Sequence, residues 1–141
     1  MNNILLIDAT DSIGHFIDDK GLSVSICDDE IKALGAAESL KPSIIILHYG
    51  IRENGTAEYI RLLTSVSKNS KIILIAPKLT DDEVMTLLIA GAQGYLQTDQ
   101  LAQYINKAIK VIDEGEAWIS RRLTALVLNR LRNNRLFPSP T

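Results

Sequence analysis

Three runs made entirely of isoleucine and leucine dominate the sequence: Ile4–Ile7, Ile44–Leu47 and Ile72–Ile75. Their lack of polar alternation is typical of strands that are buried on both faces of a parallel sheet. Two weaker apolar runs, at Leu22–Ile26 and Tyr95–Leu96, resemble them. The sequence therefore predicts five strands, most of them buried.

Stretches with helical periodicity separate and follow these runs. The residues that mark one face of each predicted helix are Ile13, Phe16 and Ile17; Ile31, Leu34 and either Ala37 or Glu38; Tyr59, Ile60, Leu62 and Leu63; Val84, Leu87 and Leu88; and Leu101, Tyr104, Ile105, Ala108, Ile109 and Ile112. Because parallel strands need helical crossovers, the alternation predicts an α/β fold, a flavodoxin-like doubly wound five-stranded parallel sheet. Chemistry in this architecture sits at the carboxyl ends of the strands.

The segment after the fifth helix predicts one additional helix. Ser120 is suited to cap its N-terminus, and Trp118 either anchors the segment or packs as an ordinary aromatic. An apolar stripe runs along this helix, formed by Leu123, Leu126, Val127 and Leu131. Because five helices already close the core, the stripe predicts self-association or docking to a neighbouring domain. We divide the chain into a domain at 1–117, a linker helix at 118–134 and a disordered tail at 135–141.

The charge of the chain is small in total but uneven in distribution. With 141 residues and a net charge of −2, we expect one domain without a general affinity for nucleic acid. Residues 121–141 carry five arginines and no acid. This cluster fits either a nucleic-acid-facing end or a solvated helix face followed by a frayed tail.

A single cysteine, Cys27, excludes an internal disulfide and fits a reducing compartment. The N-terminus lacks the basic and long apolar regions of a signal peptide. No apolar run approaches the ~20 residues that a membrane span needs. We therefore expect a cytoplasmic protein with no membrane partner.

The segment Gly91-Ala92-Gln93-Gly94-Tyr95-Leu96, followed by Asp99 and a helix that ends near Gly115, is the most specific motif of the chain. Together with the strands that end at Asp8, Leu47 and Ile75, it is similar to response-regulator receiver domains, and closest to the NarL/LuxR type. The resemblance covers residues 3 to about 131. It implies a sheet of strand order 2-1-3-4-5.

The resemblance also implies where phosphotransfer chemistry would lie. Receivers hold Mg²⁺ with two adjacent acids after the first strand and accept a phosphoryl group on an aspartate that ends the third. A hydroxyl residue after the fourth strand and a lysine after the fifth contact that group. The corresponding residues here are Asp8 and Ala9, His48, Ala76 and Thr98. The resemblance therefore implies a degenerate receiver (a pseudo-receiver), for which we expect no catalytic residue, metal or cofactor.

Several interpretations of these residues remain open. His48 either accepts a phosphoryl group itself or packs over a disabled pocket, where Asp8 can hydrogen-bond or ion-pair with it. A metal site built from Asp8, Asp11, His15 and His48 is a further option. Tyr95 occupies the position of an aromatic that swings inward in receivers. It is either held inward permanently, in the space that Ala76 leaves, or a half-buried edge residue.

We expect a phosphorylation-incompetent receiver of a transcriptional regulator that acts through protein contact. Its expected partners are a second copy of itself and a sensor or other regulatory protein, with DNA bound only through a downstream domain absent from these residues. One alternative is a stand-alone adaptor that docks a partner. Another, a flavodoxin-like enzyme or nucleotide binder, is disfavoured because no glycine-rich phosphate loop follows the first strand.

Overall fold

The protein, described here by a computed structural model of residues 2–133, is built around one parallel sheet. Its strands are β1 (Asn2–Ile7), β2 (Leu22–Cys27), β3 (Ile44–His48), β4 (Lys71–Ala76) and β5 (Ala92–Gln97). The spatial order is β2-β1-β3-β4-β5 with all neighbours parallel. The predicted flavodoxin-like fold and strand order are confirmed. The tail predicted at 135–141 and the last residue of the predicted linker helix lie outside the described residues.

Five α-helices accompany the sheet. They are α1 (Glu30–Leu40), α2 (Thr56–Val66), α3 (Asp81–Ala90), α4 (Leu101–Asp113) and α5 (Arg121–Asn133). Within residues 2–133, none of these helices is long and apolar enough to cross a membrane.

The first face of the sheet is covered by α1, α2 and α3. Alternate strand residues such as Leu5, Ile45 and Leu74 point toward these helices and pack against Tyr59 and Leu63 of α2. Because every strand contributes alternate side chains to each face, the continuous apolar runs supply two cores at once. This explains why the runs carry no polar alternation.

The second face is covered mainly by α4. Ile4, Ile46 and Ile73 pack on this side against a cluster that includes Ile105 and Ile109 of α4. The helix predicted around Ile13, Phe16 and Ile17 is absent, because residues Ile13–Phe16 form only a 3-10 turn. Ile13 nevertheless reaches the core of this face.

Local features explain why that segment does not form a helix. The carboxylate of Asp8 binds the backbone N–H groups of Thr10, Ser12 and Ile13, which ties the chain into a loop. Asp11 adopts a left-handed conformation with a φ of 58°. Gly14 would cost about 1 kcal/mol in a helix interior. The apolar spacing was therefore a misleading signal for a helix.

The buried side of α1 also differs from the prediction. Ile31 is 74% exposed, whereas Ala33 and Ala37 are buried. The small alanines allow α1 to lie close to the sheet, so the alanine positions define the packed face and the isoleucine does not.

The segment before α5 extends the sheet. The Trp118 N–H donates to the Gln93 carbonyl, and the Tyr95 N–H donates to the Trp118 carbonyl, both at 3.0 Å. Gly94 permits this approach, since a Cβ there would lie 3.3 Å from the Ile112 side chain and 3.4 Å from Trp118 Cβ. The ring of Trp118 packs near that of Tyr104, with the two ring centroids 5.9 Å apart.

The additional helix begins at Arg121, where the Ser120 hydroxyl accepts a hydrogen bond from the Leu123 N–H at 3.1 Å. α5 then folds back along α3. Val84 and Met85 of α3 are buried although they belong to neither sheet-side cluster. A helix with apolar residues on several sides is expected to be covered on more than one of them.

Candidate functional site

Asp8 follows β1 at the carboxyl edge of the sheet and is only 2% exposed. Oδ1 accepts hydrogen bonds from the Thr10 N–H at 2.9 Å and the Thr10 hydroxyl at 2.6 Å. Oδ2 accepts from the N–H groups of Ser12 and Ile13, both at 3.2 Å. A carboxylate offers about four acceptor sites. Its own loop therefore occupies the hydrogen-bonding capacity of Asp8.

The surroundings of Asp8 favour its charged form. Burial raises the pKa of the carboxyl, but the hydrogen bonds from Thr10 and Ile13 and the nearby His48 lower it. The net effect is a pKa below the ordinary value for aspartate. Asp8 is therefore an ionised acceptor for backbone donors at neutral pH.

His48 ends β3 and is half-buried. Its Nδ1 accepts a hydrogen bond from the Gly50 N–H at 3.0 Å, which caps the short turn Tyr49–Ile51. In a neutral imidazole with Nδ1 as acceptor, Nε2 carries the proton. The glycine at position 50 leaves room for this contact, because a Cβ there would lie 3.0 Å from the ring.

His48 acts on Asp8 only through space, as one of the groups that lower the pKa of the Asp8 carboxyl. No hydrogen bond or ion pair joins them in the part of the chain that the structure describes. The possibility that Asp8 hydrogen-bonds or ion-pairs with His48 is therefore not realised in the structure. Each side chain accepts hydrogen bonds instead from N–H groups a few residues further along its own loop.

The other positions of the predicted site lie at the same edge. Ala76 ends β4 and is fully buried, while Ala9 and Thr98 are exposed. Thr98 begins the 3-10 turn that follows β5. The fold thus brings the ends of β1, β3, β4 and β5 together, but the four residues other than Asp8 contribute no carboxylate or lysine.

This arrangement does not fit Mg²⁺. The ion prefers several hard oxygen ligands in near-octahedral geometry, and the oxygens of Asp8 are already engaged by four protein donors. His15 is exposed and lines a separate groove with Asp11. Among residues 2–133, no group of three or more His, Cys, Asp or Glu side chains could hold a metal ion.

Tyr95 on β5 is half-buried, with its hydroxyl turned toward the loop between β4 and α3. The hydroxyl donates to the Pro77 carbonyl at 3.2 Å and accepts from the Leu79 N–H at 3.3 Å. Burial raises the pKa of Tyr95, which keeps the hydroxyl protonated and able to donate. These two bonds connect β5 to the loop that follows Ala76.

The apolar stripe predicted on α5 is partly used within the chain. Leu123 is 7% exposed, and Leu126, Val127 and Leu131 are half-buried. Leu128 beside them is 48% exposed. Ion pairs hold the helix at two points, Arg122 with Asp81 and Arg130 Nη2 with Asp82 Oδ1 at 2.8 Å.

Sequence reasoning did not identify Thr10, Ser12 and Gly50 as parts of the site. A signal for the first two was present, because an aspartate followed by small hydroxyl residues commonly accepts backbone N–H groups in a turn. The role of Gly50 depends on where the imidazole of His48 lies, which no local pattern specifies.

Comparison with known proteins agrees with this fold. The chain is 31% identical over 99 residues to the nitrate/nitrite response regulator NarL of Escherichia coli, covering 70% of this chain and 46% of that protein. It is 26% identical over 106 residues to the transcriptional regulatory protein LiaR of Bacillus subtilis, covering 75% and 50%. The chain thus spans about half the length of the curated relatives it matches.

Among solved structures, a two-component response regulator of the LuxR family from an Aurantimonas species superposes with a TM-score of 0.74. The two are 18% identical, and the match covers 92% of this chain and 96% of that one. No protein-family profile matches the chain. The chain therefore has the fold of a receiver domain, and its relatives are response regulators of the NarL/LuxR type.

Proposed function

We propose that this receiver domain operates without phosphorylation and signals through protein contact, chiefly homodimerisation, to control a DNA-binding output domain in the cytoplasm. The observation that carries the proposal is the engagement of Asp8. Both of its oxygens accept hydrogen bonds from its own loop, at the position where receivers bind Mg²⁺. Phosphoryl transfer depends on such charge neutralisation.

His48 is a poor phosphoryl acceptor for two reasons. The nucleophilic nitrogen of a neutral imidazole is the unprotonated one, and here Nδ1 uses its lone pair on the Gly50 N–H. Thr98 stands where the resemblance implies a lysine, so a phosphoryl group on His48 would lack that positive charge.

Intact mass spectrometry after incubation with acetyl phosphate and Mg²⁺ tests this half of the proposal. The wild-type protein should gain no adduct of about 80 Da, the mass of one phosphoryl group. The reconstituted variant Ala9→Asp, His48→Asp, Ala76→Thr, Thr98→Lys is the matched positive control and should gain it.

An adduct on the wild-type protein would contradict the proposal. Spectra recorded at neutral pH preserve acid-labile phosphohistidine. If such an adduct disappeared in the His48→Ala variant, the imidazole would be identified as the acceptor.

The geometry of Tyr95 supports a receiver that keeps one conformation. Its hydroxyl bonds to Pro77 and Leu79, so β5 and the β4–α3 loop are joined without any phosphoryl group. We infer that the inward position is the resting state. Tyr95→Phe should increase amide hydrogen exchange at Leu79, with exchange at Ile45 in the sheet as the internal control. Unchanged exchange at Leu79 would argue against a locked loop.

The outward side of α5 is the surface that we propose for homodimerisation. Leu128 is the exposed leucine there, and the half-buried Leu126, Val127 and Leu131 can contribute their exposed edges. Exposed apolar side chains that cluster on one helix favour association. Light scattering should give a dimer for the wild-type chain and a monomer for Leu128→Lys.

Ile89→Lys is the control for the dimer experiment, because Ile89 is an exposed isoleucine on α3. That variant should remain dimeric. A wild-type chain that is monomeric at high concentration would remove the dimer from the proposal and leave the phosphorylation half intact.

The DNA-binding output is inferred from relatives of about twice the length, which are named as response and transcriptional regulators. Reading the genomic frame tests it: a further ~65 residues with a helix-turn-helix pattern would support a regulator. A stop codon directly after the codon for residue 141 would favour the alternative of an adaptor that acts alone.

A further inference from the structure

Within residues 2–133, one face of the sheet is left uncovered at β2. On this face α4 lies over β3, β4 and β5, and the turn Ile13–Phe16 contacts α4 beside it. Val24 pairs with Ile4 and Ile26 pairs with Leu6, so both β2 side chains point to this face. Ile26 is 56% exposed. Because parallel sheets normally have both faces covered by helices, an exposed isoleucine here marks a missing layer.

A groove of about 300 Å³ occupies the uncovered position. Its apolar floor is formed by Ile17, Val24 and Ile26, and Asp11, Asp19 and His15 lie at its rim. We call this surface the β2 groove. It lies where the sequence predicts a helix that the chain does not form.

The charged residues that line the β2 groove are acidic. They are Asp11 and Asp19. Among the described residues, no lysine or arginine lines the groove. An apolar floor with an acidic rim is complementary to a helix that has one apolar face and basic flanks.

We propose that the β2 groove binds a basic amphipathic helix of a partner protein, which supplies the missing helix of the second layer. A second copy of the chain is a poorer occupant, because two acidic grooves related by a two-fold axis would repel each other. The basic helix of this chain, α5, is already paired with Asp81 and Asp82 on α3. The inference holds whether or not His48 accepts a phosphoryl group.

A synthetic peptide of about 14 residues provides the probe, with leucines at i, i+3, i+4 and i+7 and lysines on both flanks. Fluorescence anisotropy of the labelled peptide should rise saturably when the full chain is added. Amide chemical shifts should move in β2 and in the turn Ile13–Phe16. Two control peptides, one scrambled to remove the helical spacing and one with glutamates in place of the lysines, should bind at least about tenfold more weakly.

Variants of the chain locate the peptide. Ile26→Lys should weaken binding about tenfold, because it places a cation on the apolar floor. Ile31→Lys is the matched control, since Ile31 is even more exposed but lies on α1, across the sheet; it should leave binding unchanged. Asp11→Asn with Asp19→Asn should weaken binding about threefold and reduce its salt dependence. Circular dichroism checks that each variant is folded.

Three outcomes would overturn the proposal. The first is the absence of saturable binding by the basic peptide. The second is binding that Ile26→Lys and the paired aspartate substitutions leave unchanged, since the peptide would then lie elsewhere. The third is a dimer of the wild-type chain that Ile26→Lys converts to a monomer without peptide, because the groove would then be an interface between copies.

Discussion

The carboxyl edge of the sheet and the α3–α5 contact use charged side chains in opposite ways. At the edge, Asp8 is buried and its carboxylate accepts hydrogen bonds from residues two to five positions further along. At the contact, Arg122 and Arg130 reach exposed aspartates 41 and 48 positions away. The first arrangement holds a loop in place, and removing the buried carboxylate should destabilise the fold strongly. Exposed ion pairs, in contrast, contribute only about 0–1 kcal/mol each to stability. We infer that the Asp8 carboxylate has no acceptor site left for a ligand, and that the two ion pairs exchange easily with solvent.

The largest effect is expected for Asp8→Ala. Removing the carboxylate leaves the N–H groups of Thr10, Ser12 and Ile13 without their acceptor, and the last of these is buried. The free energy of unfolding should fall by about 3 kcal/mol. Urea denaturation measures it, with the exposed Asp28→Ala as control, for which about 0.5 kcal/mol or less is expected. An equal loss in both variants would mean that the buried Asp8 carboxylate contributes no more to stability than an exposed aspartate.

The same carboxylate predicts the direction of the pH dependence. The pKa of Asp8 is lowered in the folded chain, so its contribution to stability is present above the unfolded pKa of about 3.9 and is lost as the pH falls through the folded value. The stability difference between wild type and Asp8→Ala should therefore narrow in acid. Urea denaturation at pH 7 and at pH 3 checks this, and a difference that widened at pH 3 would contradict the sign.

Leu123→Ala, at the α3–α5 contact, should have the next largest effect on stability. Leu123 is the buried leucine of α5, and truncating it should cost about 2 kcal/mol. Leu128→Ala is the matched control and should change the stability of the monomer by less than about 0.5 kcal/mol. Hydrogen exchange should show faster opening of α5 in the first variant only; equal protection in both would mean that α5 is not docked.

Gly50→Ala probes the closeness of packing at the strand edge. The added Cβ would lie 3.0 Å from the imidazole of His48, so the ring must move or the turn must open. The expected cost is about 1–2 kcal/mol. In a His48→Ala background the same substitution should cost much less, and a double-mutant cycle on the free energy of unfolding measures the difference. Additive costs would show that the ring and the turn do not interact.

The smallest effect is expected at the exposed ion pair between Arg130 and Asp82. Arg130→Gln should lower the free energy of unfolding by about 0.5 kcal/mol at low salt and by less at 1 M salt, where charges are screened. Thermal denaturation at both salt concentrations measures it, and Arg121→Gln, an exposed arginine in the same helix, is the control. A large loss of stability that does not depend on salt would show that the ion pair contributes as strongly as the hydrogen bonds of Asp8.

Much of the fold was predictable, for reasons that particular residues make clear. Ile44–Leu47 and Ile72–Ile75 are apolar without alternation because both faces of their strands are buried. The motif around Gly94 was informative because it encodes a close approach of Trp118 and Ile112. The helix expected at Ile13 is absent because apolar periodicity carries no information about the backbone: Asp8 ties the preceding segment into a loop, and Gly14 disfavours a helix interior.

Within the site, the residue types could be predicted and their contacts could not. The sequence identified His48, Ala76 and Tyr95 by position in a motif. It did not predict that Asp8 and His48 would bond to separate loops, since the relative positions of two strand ends depend on how the whole sheet is assembled.

By itself, the sequence determined the parallel sheet, the strand order through its family resemblance, and the residue types at the strand ends, because periodicity and side-chain chemistry are local properties. Only the tertiary structure decided that α5 folds onto α3, that Asp8 is fully engaged, and that a groove remains open beside β2. Those outcomes depend on contacts between residues far apart in the chain, where competing partners are chosen by distance and burial, which no single segment specifies.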